Sequence, residues 1–140
     1  MSAVAFVDTN ILVYAHDRDA GIRRDRSVHL LEELWESGDG RLSVQVLQEF
    51  YVNVTRKLAT PVARSFAREV IGSYATWVRE ATTPAIVLRA VEITELAQLA
   101  FWDGLVVAAA EQSGAALLYS EDFQAGRIIA GIRIVNPLID

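Results

Sequence analysis

Cysteine is absent from this chain and lysine occurs once, at Lys57. Without cysteine there are no disulfides, no thiolate metal ligands and no cysteine nucleophile. Long apolar runs are missing too: every candidate is broken by Glu, Gln or Asp before the roughly 20 residues that a membrane-spanning helix needs. The first residues, MSAVAFVDTN, carry no basic stretch and an acid at position 8, unlike a signal peptide. The expectation is a cytoplasmic protein that does not enter a membrane. Positive charge is scarce, with a net charge of −5, so the surface lacks the general basicity of a protein that binds bulk duplex. What positive charge there is comes from arginine, twelve residues against one lysine. That bias fits either the codon usage of a GC-rich genome or the planar guanidinium forks that suit phosphate.

Against these absences stand 140 residues, 52% of them hydrophobic, with a mean hydropathy of +0.25. This is enough to bury a real core in one domain, expected to span 1–140. Residues 3–7 are apolar at every position, as in a strand buried on two faces. Asp8 or Thr9 can cap the short helix that follows through Ile11, Leu12 and Tyr14. Val28, Leu31, Leu34 and Trp35 recur at helical spacing between Gly21 and Ser37, and Gly38 and Gly40 end that segment. The stretch RLSV predicts a short strand, and Ser43 is a fair cap for a helix with the stripe Leu47, Phe50, Tyr51 and Val54. Thr60-Pro61 and Thr83-Pro84 each place a capping hydroxyl before a first-turn proline, predicting helices that run to about Tyr74 and Leu96. Between these two helices ATWVRE reads as a strand. A helix over Trp102–Gln112, the strand AALLYS, a turn and the alternating strand IRIVN complete the chain. Strands that alternate with helices imply an α/β fold with a mostly parallel central sheet and helices on both faces.

In such sheets ligands bind beyond the carboxyl ends of the strands. Asp8, Ser43 and the Ser120–Asp122 segment all fall there. Asp103 aligns with Val106, Val107 and Ala110 on the apolar stripe of its helix, so its carboxylate points toward the protein body, where an unpaired charge is costly. Glu49 lies nearly opposite its helix's core stripe, on a polar face with Asn53 and Arg56. That face is either solvated or the wall of a polar groove. Asp122 follows the equally acidic Glu121 in a turn. Four carboxylates drawn from distant segments repel one another unless a cation joins them, and a hard divalent ion is the natural partner of oxygen ligands.

Taken together, VDTNIL, LSVQVLQEFY, FWDGLVVAAA and LYSEDFQAG followed by IRIVNPL resemble the PIN domain, most closely the VapC-type toxins of toxin–antitoxin pairs. The resemblance runs from about Val4 to Leu138. It implies a metal-dependent endoribonuclease whose acids, here Asp8, Glu49, Asp103 and Asp122, bind Mg²⁺ or Mn²⁺, with Thr9, Asn10, Ser43 and Ser120 as supporting polar residues. It also implies an RNA substrate, a homodimer and a small antitoxin that silences the toxin. Where the family often has Ser or Thr, three positions before Asp103, this chain has Ala100. Arg56 and the Arg23/Arg24/Arg26 cluster are candidates to hold the substrate.

The residue types agree with metal-assisted hydrolysis, in which water is activated by the ion. Metal-free cleavage through the ribose 2′-OH would ask for a His or Lys pair, and His16 and His29 both lie outside the acidic motifs. A phosphatase of the haloacid-dehalogenase type would want an acid where Asn10 stands and a later lysine. A receiver domain would want an acidic pair after the first strand. The remaining alternative is a PIN-fold protein that binds RNA or a partner without cutting.

Overall fold

Ala5, Phe6 and Val7 are all buried, and together they form strand β1 (Ala5–Val7) at the heart of the sheet. In the computed structural model, which describes residues 3–139, β2 (Gly40–Arg41) runs parallel to β1 on one side. On its other side lies β3 (Leu117–Tyr119), also parallel. Next comes β5 (Ile132–Val135), parallel to β3, with β4 (Ile128–Ile129) antiparallel at the edge. The strand order is β2-β1-β3-β5-β4. Among the described residues six α-helices flank this sheet: α1 (Thr9–Ala15), α2 (Ile22–Ser37), α3 (Val44–Val52), α4 (Arg64–Tyr74), α5 (Pro84–Ala97) and α6 (Phe101–Gln112). The fold is α/β with a mostly parallel sheet, as the alternation of elements implies.

The register between β1 and β3 decides where the site lies. Val7 pairs with Tyr119, so the next residue of each strand, Asp8 and Ser120, emerges side by side. The Asp8 amide donates to the Tyr119 carbonyl at 2.9 Å, which extends the pairing one step past the last ladder residue. Parallel strands bring like ends together, and here both ends carry polar side chains.

Helix α6 is buried at every position from Gly104 to Ala110. A helix apolar on all sides belongs inside, and this one packs against α5, β3 and β5. The axes of α5 and α6 meet at 114°. Gly104 makes that crossing close: a Cβ there would strike the Thr94 hydroxyl and lie 2.9 Å from the Ala90 carbonyl oxygen. No single helix among the described residues is long and apolar enough to cross a membrane.

Several local expectations differ from the structure. Thr60-Pro61 does not start a helix, which begins instead at Arg64. The amide of Val62 donates to the Val54 carbonyl at 2.9 Å and pins this stretch across a π-helical turn, Asn53–Lys57, that prolongs α3. ATWVRE is not a strand. Ala75–Trp77 is a 3₁₀ turn continuing α4, held because Tyr74 and Trp77 are buried against one another and against Trp35, with ring centres 4.7–5.2 Å apart. Pro84 opens α5 as expected, yet the Thr83 hydroxyl makes no capping bond. The stretch RLSV contributes only Arg41 to β2, because Ser43 already caps α3.

Candidate functional site

Asp8 directly follows β1 and is the N-cap of α1, and it is 5% exposed. One carboxylate oxygen accepts the Thr9 amide and the other accepts the Ser120 hydroxyl, each at 2.7 Å. Capping by Asp8 leaves Thr9 as the first helical residue, and its hydroxyl donates to Glu49 at 3.2 Å. Glu49 is half-buried on α3, on the polar face that helical phase alone leaves open between solvent and groove. The structure makes it a groove wall.

Ser120 is fully buried and uses its whole bonding capacity. Its hydroxyl donates to Asp8 and accepts from the Asp122 amide at 3.0 Å and from the Asn10 side-chain amide at 3.4 Å. A hydroxyl has one proton and two lone pairs to offer. Asn10 in turn accepts the Glu121 amide at 3.5 Å, so α1 and the turn after β3 are tied at two points. Ser43, also buried, caps α3 by accepting the Val46 amide at 3.4 Å.

The charges bear on each other. Burial pushes the Asp8 carboxyl up to about 6, the bonds from Ser120 and Thr9 pull it down, and the negative charges of Asp122 and Glu49 push it up further. Asp103, half-buried in the first turn of α6, is raised by burial and by Asp122. The two acids that burial raises are thus each pushed by Asp122, which is itself exposed. These couplings link all four acidic residues named from the sequence.

A cavity of about 280 Å³ opens beside them, lined by Thr9, Asn10, Val13, Tyr14, Asp17, Glu49, Asn53, Leu58 and Asp122. Two helical faces account for most of this lining. Asn10, Val13 and Tyr14 follow the i, i+3, i+4 spacing of one face of α1, and Asp17 lies in the loop just past that helix. Glu49 and Asn53 are one turn apart, and the Asn53 side chain donates to the Glu49 carbonyl at 2.7 Å. Tyr14 and Asp17 are not among the site residues expected from the sequence; the helical spacing of Tyr14 from Asn10 contained the signal, whereas Asp17 falls past the end of α1. Gln45 is a further addition: it is buried and donates to the Trp102 carbonyl at 3.3 Å, tethering α3 to the turn that carries Asp103.

Arg56 is exposed on the π-helical turn and Arg24 is exposed on α2, and neither lines this cavity. Arg23 reaches its rim through Glu121, at 3.8 Å. Both histidines lie apart from the acids. His16 packs edge-on to Phe50 and bonds through Nδ1 to the Leu12 carbonyl oxygen, and His29 faces Glu33 on the exposed side of α2.

A hard divalent cation suits this donor set chemically: the ligands are oxygens alone, and the carboxyls of Asp8 and Asp103 are raised by burial and by neighbouring negative charge, a strain that a cation relieves. Among the described residues, no three Asp, Glu, His or Cys side chains are arranged to hold a metal together. Both oxygens of Asp8 are engaged by hydrogen bonds, and Glu49 is engaged by Thr9.

Known structures share this architecture. VapC20 of Mycobacterium tuberculosis, described as a toxin that cleaves the sarcin–ricin loop, superposes with a TM-score of 0.61 at 22% identity, over 84% of this chain and 89% of that one. VapBC2 of Rickettsia felis, solved bound to a DNA fragment from its promoter, gives 0.59 at 18% identity over 93% and 96%. FitAcB of Neisseria gonorrhoeae gives 0.60 at 18% identity over 95% and 97%. No curated protein sequence matches the chain significantly. The sequence profile of the PIN domain, however, matches residues 5–129, nearly the whole of the α/β fold that carries the acids, and the chain belongs to the PIN domain family.

Proposed function

We propose that this chain is a metal-dependent endoribonuclease acting in the cytoplasm as the toxin of a toxin–antitoxin pair. The observation that carries the reading is the electrostatic coupling of Asp8 with Glu49 and Asp122, and of Asp122 with Asp103, beside one cavity at the carboxyl end of the sheet. Asp8, Asp103 and Asp122, with Glu49, would hold Mg²⁺ or Mn²⁺. Such an ion, when bound, would lower the pKa of a coordinated water and offset the charge that builds on the phosphate. The protein's own part is positional. Ser120 and the Thr9 amide fix the Asp8 carboxylate, Thr9 fixes Glu49, and Asn10 with Ser120 fixes the turn that presents Asp122.

Metal-free cleavage is poorly served. Among the described residues no His or Lys lines the cavity, and Tyr14, pushed up to about 12 by burial and Glu121, keeps its proton at neutral pH. RNA as substrate, a homodimer and a small antitoxin partner are in keeping with the fold shared with VapC20 and VapBC2. The second reading, a PIN-fold protein that binds RNA or a partner without cutting it, is favoured by one observation: both oxygens of Asp8 already accept hydrogen bonds from the protein itself.

Incubation of the purified chain with RNA in Mg²⁺ or Mn²⁺, and in EDTA, separates the two. Cleavage is expected with metal and not in EDTA, and Asp8→Asn and Asp103→Asn are each expected to abolish it. Equal cutting by wild type and both variants would show the metal assignment to be wrong. For the toxin role, induced expression is expected to arrest growth, with relief on co-expression of the adjacent small gene. Unchanged growth would leave a nuclease with another task.

A further inference from the structure

Glu121 and Asp122 are adjacent acids with opposite surroundings. Asp122 acts on Asp8 and Asp103, whereas Glu121 accepts the Tyr14 hydroxyl and faces Arg23, whose Nε lies 3.8 Å from its second oxygen. The Arg23 guanidinium carbon sits 5.8 Å from the centre of the Tyr14 ring, so the arginine rests against both members of the pair. Tyr14 lines the same cavity as Asp122 and Glu49.

From this arrangement we infer that Arg23 binds a backbone phosphate of single-stranded RNA at the cavity rim, on a seat formed by Glu121 and Tyr14. The inference rests on the nuclease reading and specifies how that site grips its substrate. The Arg23 side chain is 58% exposed and its contact with Glu121 is long, so the pair is loose and its guanidinium can exchange partners. A phosphate can accept two parallel bonds from the guanidinium, whereas Glu121 meets it through Nε at 3.8 Å. Three other arginines are committed elsewhere. Arg89 is held by both oxygens of Glu111, Arg41 by the carbonyls of Gly38 and Gly40, and Arg127 by the carbonyl of Ala97. Tyr14 keeps its proton at neutral pH and remains a donor to Glu121, so the seat is present under working conditions.

The test is binding of a fluorescent single-stranded RNA to the full chain carrying Asp8→Asn, which binds without turnover, measured at several salt concentrations. Adding Arg23→Gln is expected to weaken binding about five-fold and to flatten the plot of log affinity against log salt by about 0.7, the loss of one single-strand phosphate contact. Arg24→Gln, the exposed neighbour on the same helix, is expected to leave the slope as in the parent. Glu121→Gln keeps the cation and removes the carboxylate that competes with phosphate for it, so affinity is expected not to fall and the slope is retained. Equal affinity and slope for the Arg23→Gln protein and its parent overturn the inference while leaving the nuclease reading intact, as does a flattened slope for Glu121→Gln. A parent that binds no RNA overturns the nuclease reading itself. Thermal midpoints of all variants within a few degrees of the parent keep the comparison free of folding defects.

Discussion

The Ser120 hydroxyl donates to the Asp8 carboxylate at 2.7 Å, across 112 residues of sequence. That bond stabilises the charged form of Asp8 and opposes the effect of burial. Ser120→Ala is therefore expected to push Asp8 above its present value of about 6. It also strips the Asp122 amide and the Asn10 side chain, both partly accessible to solvent, of their shared acceptor, at a cost of about 1 kcal/mol. Carboxyl NMR titration and urea unfolding check the two effects separately. An unmoved Asp8 titration would mean that the bond does not form in solution.

Asp8 itself makes the metal-free protein pH-sensitive. Its folded value of about 6 lies above the ordinary 3.8, so between these values the folded state holds a proton that the unfolded chain has lost. Stability therefore rises as pH falls from about 6 toward 4 and is flat above, with a contribution of up to about 3 kcal/mol. Asp8→Asn is expected to raise the unfolding midpoint at a pH of about 7.5 while abolishing cleavage, since burial penalises only the charged form. Added Mn²⁺ should stabilise wild type at that pH and not the variant. A destabilised Asp8→Asn protein would contradict the burial argument.

Asp122→Asn removes the charge that acts on both Asp8 and Asp103. Both carboxyls are expected to titrate lower in this variant than in wild type, because a like charge nearby disfavours ionisation. Should Asp103 titrate at the same pH in both proteins, the two carboxylates do not face one another.

Ala100 is the N-cap of α6, in extended backbone conformation, and offers no side-chain acceptor to the free amides of the first turn. Ala100→Ser supplies one, and a gain of about 0.5–2 kcal/mol is expected from restoring such a cap. Denaturant unfolding measures it. A loss of stability would show that the exposed Ala100 position meets a steric limit.

Gly104 lies where α5 and α6 cross. Gly104→Ala would force a methyl group against the Thr94 hydroxyl and the Ala90 carbonyl, and the latter is backbone that cannot swing aside. A loss of about 1–3 kcal/mol is expected from overpacking, and the shift should also disturb Asp103 next door, lowering cleavage. Unchanged stability would require the helices to separate at no cost.

Much of the fold is legible in the sequence because burial writes itself into local pattern. AFV is apolar at every position because it is covered on both faces, and the apolar positions of α6 recur around its whole circumference because that helix is enclosed. Ser43 and Pro84 mark helix starts through local chemistry. Thr60-Pro61 carries the same local signal and starts no helix, because a hydrogen bond from Val62 to Val54 outweighs it. ATWVRE is no strand because aromatic packing among Trp35, Tyr74 and Trp77 fixes a 3₁₀ turn where β-propensity points to extended chain. These departures come from contacts that no short window of sequence displays.

Short segments were enough to put acids at the ends of strands and in the first turn of a helix, since alternation and helical phase are local properties. Asp103 faces the protein body on that ground alone. Which neighbour each acid meets was left to the folded chain. The parallel register of β1 and β3 set Asp8 beside Ser120. The packing of α1 on α3 turned Glu49 from a position open to solvent into a cavity wall bonded to Thr9. The turn after β3 sent Glu121 to Tyr14 and Arg23 while leaving Asp122 with the acids. Such pairings depend on register and on helix docking, which are settled by the summed burial of the whole core and are not encoded at any single position.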